Sequence, residues 1–221
     1  MGSDSKDSSA RRLDMVREQI LARGIRDPRV LEAMEQVPRE LFVPRHLQDE
    51  AYEDHPLPIG YGQTISQPYI VALMADMLGL DGRERVLDIG TGSGYAAAVL
   101  ASIALEVFSM ERVPELAERA RENLRKAGFS QVQVRCGDGS LGWPEAAPFD
   151  GICVAAGAPA MPDALSEQLA VGGRLVIPVG PEQGVQRLLC ITRRPDGGFD
   201  REDFGDVRFV PLLGEEGWSR D

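Results

Sequence analysis

The sequence predicts an α/β protein with a mostly parallel sheet, an N-terminal helical cap and an antiparallel C-terminal strand pair. Three observations lead there. From residue 66 onward, short apolar runs alternate with helix-length segments, the pattern of strand–helix crossovers. One of those runs, Val86-Leu87-Asp88-Ile89, passes directly into the glycine-rich turn Gly90-Thr91-Gly92-Ser93-Gly94. The last two apolar runs are separated only by the polar turn Pro195-Asp196-Gly197-Gly198, with no room for a crossover helix.

Residues 1–10 are polar and small, which predicts a disordered leader rather than a signal peptide. In residues 11–23, Leu13, Val16, Ile20 and Leu21 fall at helical spacing, and Gly24 ends that helix. A second helix over 28–36 carries Val30, Leu31 and Met34 and stops before Pro38. Pro38, Pro44, Pro56 and Pro58 deny residues 38–58 regular structure. The cap and its loop therefore occupy 11–65, and the core domain 66–221. In the core, Pro68 opens a helix running through Ile70, Leu73, Met74 and Met77 to Gly79. Strands follow at 86–89, 107–110, 132–134, 150–154 and 174–178. Helices fall between them at 95–103, 114–127 and 164–169. Strands 187–192 and 207–212 make the final pair.

Composition narrows the function. There are 35 acidic and 24 basic residues, a net charge of −11, unsuited to gripping a phosphate backbone, so no nucleic-acid partner is expected. No apolar run approaches the ~20 residues of a bilayer span, so no membrane role is expected either. Cys136, Cys153 and Cys190 are isolated and form no C-x-x-C pair. They read as small buried hydrophobes in a reducing, cytoplasmic setting. His46 and His55 are the only histidines, so no metal site is expected.

The glycine turn follows the first core strand, and ligands of open α/β sheets bind at such carboxyl ends. A dinucleotide would set its pyrophosphate on the helix that the turn opens, and Gly92-Ser93-Gly94-Tyr95-Ala96-Ala97 fits that spacing formally. Asp88 argues for a ligand that is cationic there, such as S-adenosylmethionine. Glu111, about 20 residues past the turn, suits the two hydroxyls of a ribose. Asp138, between Gly137 and Gly139, suits the adenine edge. Singly, Asp88 would be a helix cap, Glu111 a solvated acid and Asp138 a turn residue. Together at one sheet edge they describe a nucleoside site without phosphate. Ahead of them, the polar loop Ile59-Gly60-Tyr61-Gly62-Gln63-Thr64-Ile65-Ser66-Gln67-Pro68 enters a helix, and on local grounds Ser66 is its N-cap.

The sequence resembles the protein-L-isoaspartate O-methyltransferase family of S-adenosylmethionine-dependent repair enzymes. Gly62-Gln63-Thr64-Ile65-Ser66-Gln67-Pro68-Tyr69 is similar to that family's own signature. The glycine turn, Gly137-Asp138-Gly139 with Gly142-Trp143, Gly172-Gly173-Arg174 through Gly180, and Phe209-Val210-Pro211-Leu212 match in order. The cap is similar too, in Gly24-Ile25-Arg26-Asp27 and Phe42-Val43-Pro44. The likeness spans roughly residues 12–218. The family more often has Thr where Ala155 stands and Ala where Gly157 stands.

The resemblance implies a Rossmann-like methyltransferase sheet with its last two strands exchanged relative to most relatives, in a monomer. It implies S-adenosylmethionine as cofactor, S-adenosylhomocysteine as product, and isoaspartyl proteins and peptides as substrates. The accepting α-carboxylate has a pKa of about 3.5 and is ionised at neutral pH, so no general base is needed. Ser66 is the implied catalytic residue, aiming one carboxylate oxygen at the methyl. Thr64, Ile65, Ser66, Asp88, Gly90 and Gly92 are implied cofactor contacts, with Gly94, Glu111, Arg112, Asp138 and Gly139. Val210 and Leu212 are implied to bind substrate alongside Ser66, pairing with its backbone in strand-addition style. The alternatives are a methyltransferase for RNA or a small molecule, and a nucleoside-binding module without turnover.

Overall fold

The computed structural model describes residues 4–219. Helix α1 (Asp4–Met15) runs on through a π-helical turn (Val16–Ile20) and a 3-10 turn (Leu21–Arg23) to Gly24, whose φ is +100°. The expected leader is thus helical from Asp4, and its residues 1–3 lie outside the described residues. A π turn inserts an extra residue per turn and rotates the buried stripe. Met15, Val16 and Ile20 enter the core, while Leu13 and Leu21, expected there, are 51% and 37% exposed.

Helix α2 (Pro28–Gln36) is capped by Asp27, whose carboxylate accepts the Arg29 N–H. The proline-rich stretch holds 3-10 turns at Arg39–Phe42 and Arg45–Glu50. It ends in a hairpin of β1 (Leu57–Gly60) and β2 (Gln63–Ile65), whose tip places Tyr61 at φ +55°. Then come α3 (Pro68–Leu78), β3 (Arg85–Ile89), α4 (Tyr95–Ala101), β4 (Glu106–Glu111) and α5 (Pro114–Lys126). The chain continues with β5 (Gln133–Cys136), β6 (Phe149–Val154), α6 (Asp163–Gln168), β7 (Leu169–Val179), β8 (Gln186–Arg193) and β9 (Phe199–Val207).

The main sheet has the order β5-β4-β3-β6-β7-β8-β9. β5, β4, β3, β6 and β7 are parallel; β8 and β9 join antiparallel, each beside the strand before it in the chain. The reversal between β3 and β6 opens a crevice at their carboxyl ends.

Two expectations fail here. The last strand is Phe199–Val207, not 207–212. An edge strand has one sheet neighbour and a solvated face, so β9 carries Asp200, Arg201, Glu202 and Asp203 in place of an apolar run. The apolar residues after it leave the sheet: Pro211 bridges to Gly157, and Leu212 buries against Ile177 and its neighbours. Cys153 and Cys190 are buried as expected, but Cys136 is exposed.

Apolar side chains pack on both sides of the sheet. One cluster joins the cap residues Ile20, Met34 and Phe42 to Val71 of α3, Tyr95 and Leu100 of α4, and Val107 of β4. The other holds Phe108, Phe149, Leu165 and Ile177. The boundary expected at 65/66 therefore runs through a shared core.

Candidate active site

At the carboxyl ends of β3 and β4 lies a cleft of about 880 Å³, its open mouth included. The glycine turn forms its floor, with Gly90 at φ +90° and Gly92 at φ +55°. A Cβ on Gly92 would come within 3.2 Å of Ile59 Cδ1, so glycine lets the hairpin close down over the turn. Gln63, Thr64, Ile65 and Ser66 form a wall from the β1–β2 side, and Val210, Pro211, Leu212 and Leu213 another. Arg119 of α5 holds the hairpin: its Nη1 donates to Ile59 O at 2.7 Å.

Glu111 ends β4 at the cleft edge, only 7% exposed. Its Oε2 accepts the Gly92 N–H at 2.7 Å, and its Oε1 accepts the Val113 N–H at 2.9 Å. Arg112 and Gly139 also line the cleft. A Cβ on Gly139 would lie 2.6 Å from Ile89 Cγ2, so the close approach of the turn after β5 to the end of β3 requires glycine.

Three expected cofactor residues stand elsewhere. Asp88 is fully buried below the turn and does not line the cleft. Its register partners across β3 are Ser109 of β4 and Cys153 of β6. Ser109 Oγ donates to Asp88 Oδ2 at 2.6 Å, Thr91 Oγ1 lies 2.6 Å from Ser109 Oγ, and Oδ1 of Asp88 has no partner among the described residues. Burial, with the Glu111 charge as a lesser contribution, pushes the Asp88 carboxyl up to about 7 despite the Ser109 bond. The Asp138 carboxylate ties the chain together: Oδ1 accepts from Ser140 N and Oγ, and Oδ2 from Glu215 N at 2.8 Å. Gly94 packs its backbone against Leu124 of α5, outside the cleft lining.

Ser66 lies at the junction of two cavities. It lines the cleft, and it lines a second cavity of about 1,160 Å³ that continues along Gln67, Ile70 and residues 206–210. Thr64, Ala155 and Val210 are shared by both cavities in the same way. Ser66 is not the N-cap of α3; that position is Gln67, which makes no capping bond with its side chain. Among the described residues, the Ser66 hydroxyl has no hydrogen-bond partner.

The backbone carbonyl of Ser66 is held by a residue that local sequence reasoning misses. Arg39 of the cap is 0% exposed, and its Nη2 donates to Ser66 O at 2.8 Å and its Nε to Ala51 O at 2.7 Å. Its guanidinium carbon stands 4.7 Å from the centre of the Tyr95 ring, which lines the cleft. Burial without a carboxylate partner lowers its pKa to about 10, so it stays charged at neutral pH. No sequence signal marks this role beyond the adjoining Pro38, because its partners are main-chain carbonyls 12 and 27 residues away.

Gln186 does similar work for the other wall. Its Oε1 accepts the Phe209 N–H at 2.9 Å and its Nε2 donates to Phe209 O at 3.4 Å. Gly157 bonds the next residues, donating to Val210 O and accepting from Leu212 N, both at 2.8 Å. A Cβ at Gly157 would sit 3.0 Å from Gln186 Nε2, so a larger residue there would need the Gln186 side chain to give by a few tenths of an ångström. Val210 O and Leu212 N are thus committed within the chain, leaving Val210 N and Pro211 O unpaired among the described residues.

Comparison with known proteins fits this geometry. Residues 10–217 match the protein-L-isoaspartate(D-aspartate) O-methyltransferase family. The chain is 73% identical over 218 residues to protein-L-isoaspartate O-methyltransferase 2 of Marinobacter nauticus, covering 99% of this chain and 100% of that one. It is 58% identical to protein-L-isoaspartate O-methyltransferase 1 of Rhodopseudomonas palustris, covering 99% of this chain and 89% of that one. A solved protein-L-isoaspartate O-methyltransferase structure superimposes with a TM-score of 0.82 at 30% identity, covering 93% of this chain and 67% of that one. One from Plasmodium falciparum, in complex with S-adenosyl-L-homocysteine, gives 0.79 at 28% identity, covering 91% of this chain and 98% of that one.

Proposed function

The chain belongs to the protein-L-isoaspartate(D-aspartate) O-methyltransferase family, and from that premise we infer how its own residues carry the reaction. The protein transfers a methyl group from S-adenosylmethionine to the free α-carboxylate of L-isoaspartyl residues in damaged proteins. The observation that carries the assignment of roles is the position of Ser66 where the two cavities meet. The cleft holds the cofactor and the second cavity the peptide.

The cleft fits S-adenosylmethionine better than a dinucleotide. The Gly92 N–H, which would receive a pyrophosphate, is already bonded to Glu111. Glu111 puts a carboxylate where phosphate charge would have to lie. When bound, S-adenosylmethionine supplies an electrophilic methyl group on a positive sulfur. Glu111 faces the ribose, while Thr64, Ile65, Arg112 and Gly139 complete the walls. Asp88 and Asp138 act behind the surface: Asp88 braces the turn through Ser109 and Thr91, and Asp138 anchors the C-terminal segment.

The substrate carboxylate arrives ionised, so no residue has to remove a proton. The free Ser66 hydroxyl donates to one carboxylate oxygen and leaves the other aimed at the methyl. Arg39 fixes the Ser66 backbone from below. Ile65, Val71, Val210 and Leu212 exclude water, and this favours a step in which opposite charges neutralise. Val210 and Leu212 shape the peptide path as walls, with the Val210 N–H and Pro211 carbonyl left for the substrate backbone.

Labelled cofactor offered to an isoaspartyl peptide and to its aspartyl twin tests the reading. Base-labile methyl ester on the isoaspartyl peptide alone is expected; label on neither peptide, or on both equally, overturns it. We place the protein in the cytoplasm as a monomer, on its isolated cysteines and the completeness of the site within one chain. Sedimentation equilibrium checks the second point. Among the described residues no helix is long and apolar enough to cross a membrane.

A further inference from the structure

The second cavity has an uneven charge. Among the described residues, two charged ones line it, Asp206 and Arg208. Asp206 is paired with Arg187 at 2.5 Å, and the same guanidinium holds Asp203 at 2.8 Å. Gln67, on the opposite flank, donates to Asp54, and Asp54 is paired in turn with Arg23 at 3.0 Å. Arg208 is exposed and makes no hydrogen bond or ion pair among the described residues. Among the described residues, Arg208 is thus the cation that lines the peptide path with no partner of its own, in a chain whose net charge is −11. Arg208 lines only this cavity, whereas Val210, two residues on, lines both. Two residues of extended chain span roughly 7 Å. That separation sets Arg208 apart from the reacting carboxylate and beside its near neighbours in a bound peptide.

We propose that Arg208 is a specificity-determining residue, selecting isoaspartyl sites with an acidic residue within two positions of the damaged one. The proposal rests on the assignment of the second cavity to the peptide. Exposed ion pairs are weak, so the preference is a graded one and shrinks with added salt.

Three isoaspartyl peptides, identical except for Glu, Gln or Lys at the neighbouring positions, test it in low salt. For the unaltered enzyme, kcat/KM is expected to be about two- to fivefold higher for the Glu peptide than for the Lys peptide, the scale of one exposed charge pair. Arg208→Gln should bring that ratio close to one, and Arg208→Glu should invert it. Because the readout is a ratio, any general effect of the substitution on turnover cancels. Equal methylation of all three peptides by the unaltered enzyme overturns the role of Arg208 alone. So does a Glu-to-Lys ratio that survives Arg208→Gln. Failure to methylate any of the three overturns the functional reading beneath it.

Discussion

Ser66 and Asp88 show how single side chains divide the work. Ser66→Ala should lower kcat about tenfold to a hundredfold, the loss of about 1.4–2.7 kcal/mol in the transition state. Its melting temperature should hardly move, because Gln67 occupies the cap position and the Ser66 hydroxyl has no hydrogen-bond partner among the described residues. A normal kcat with a lowered melting point would remove Ser66 from catalysis. Asp88 should act on stability. Its folded carboxyl is raised from 3.8 to about 7, so the folded state holds the proton more tightly than the unfolded one. Stability from this group is then full below about pH 4, is lost as pH rises towards 7, and is level above. Asp88→Asn, which still accepts from Ser109, should gain melting temperature over the parent progressively across that window. A constant offset between the two curves would show that Asp88 does not titrate there. That Ser66 and Glu111 stand at the cleft was legible, Ser66 from its loop's likeness to a family signature and Glu111 from its place at a strand end about 20 residues past the glycine turn. The burial of Asp88 was not, since only the register β3 shares with β4 and β6 reveals what flanks it. Arg39 was illegible for a similar reason: a guanidinium bonded to distant carbonyls has no partner that sequence spacing can show.

At the scale of elements, the glycine turn is a loop clamped by a carboxylate. Glu111 needs two acceptor oxygens, one for the Gly92 N–H and one for the Val113 N–H. Glu111→Gln turns one of them into a donor that faces another donor. Cofactor affinity should fall by about 1–3 kcal/mol and melting temperature should fall with it, in contrast to Ser66→Ala. Calorimetry with S-adenosylhomocysteine beside a thermal melt checks both, and unchanged affinity in a folded variant would exclude Glu111 from the ribose. Most elements could be read from the chain because apolar runs and caps agree, as in α2, where Asp27 and Pro28 mark the start and Pro38 follows the end. The β1–β2 hairpin could not, since it lies among the prolines that argued for irregular chain. The position of β9 was also hidden: an edge strand rich in Asp and Glu lacks the apolar signal, and the apolar residues beyond it serve the cleft instead.

Across the whole molecule, Arg39 joins the cap to the site, and its replacement should be felt in both. Lys at position 39 keeps the charge but cannot bond Ala51 O and Ser66 O in the same fork. Arg39→Lys should lower melting temperature and, well below melting, still reduce kcat more than it raises KM for cofactor. A lowered melting point with normal kcat at low temperature would make Arg39 a purely structural residue. The protein should also age into its own substrate at exposed turns. Of its four Asp-Gly pairs, Asp138 and Asp150 are held by N–H groups of Glu215 and Arg85 from distant parts of the chain. Asp81 and Asp196 bond only within their own turns. Peptide mapping after incubation at neutral pH should find isoaspartate first at Asp196 or Asp81, and earlier damage at Asp138 or Asp150 would contradict this ordering. The C-terminal wall described above also sets a timetable for synthesis. Ser66 and the glycine turn leave the ribosome early, yet the site waits for Tyr95 to receive Arg39 and for residues 210–213 to close the cleft. A nascent chain halted near residue 200 carries Ser66 and the glycine turn and still lacks one side of its pocket. The pocket gains its last wall only once residues 210–213 have been made, long after Ser66 and the glycine turn.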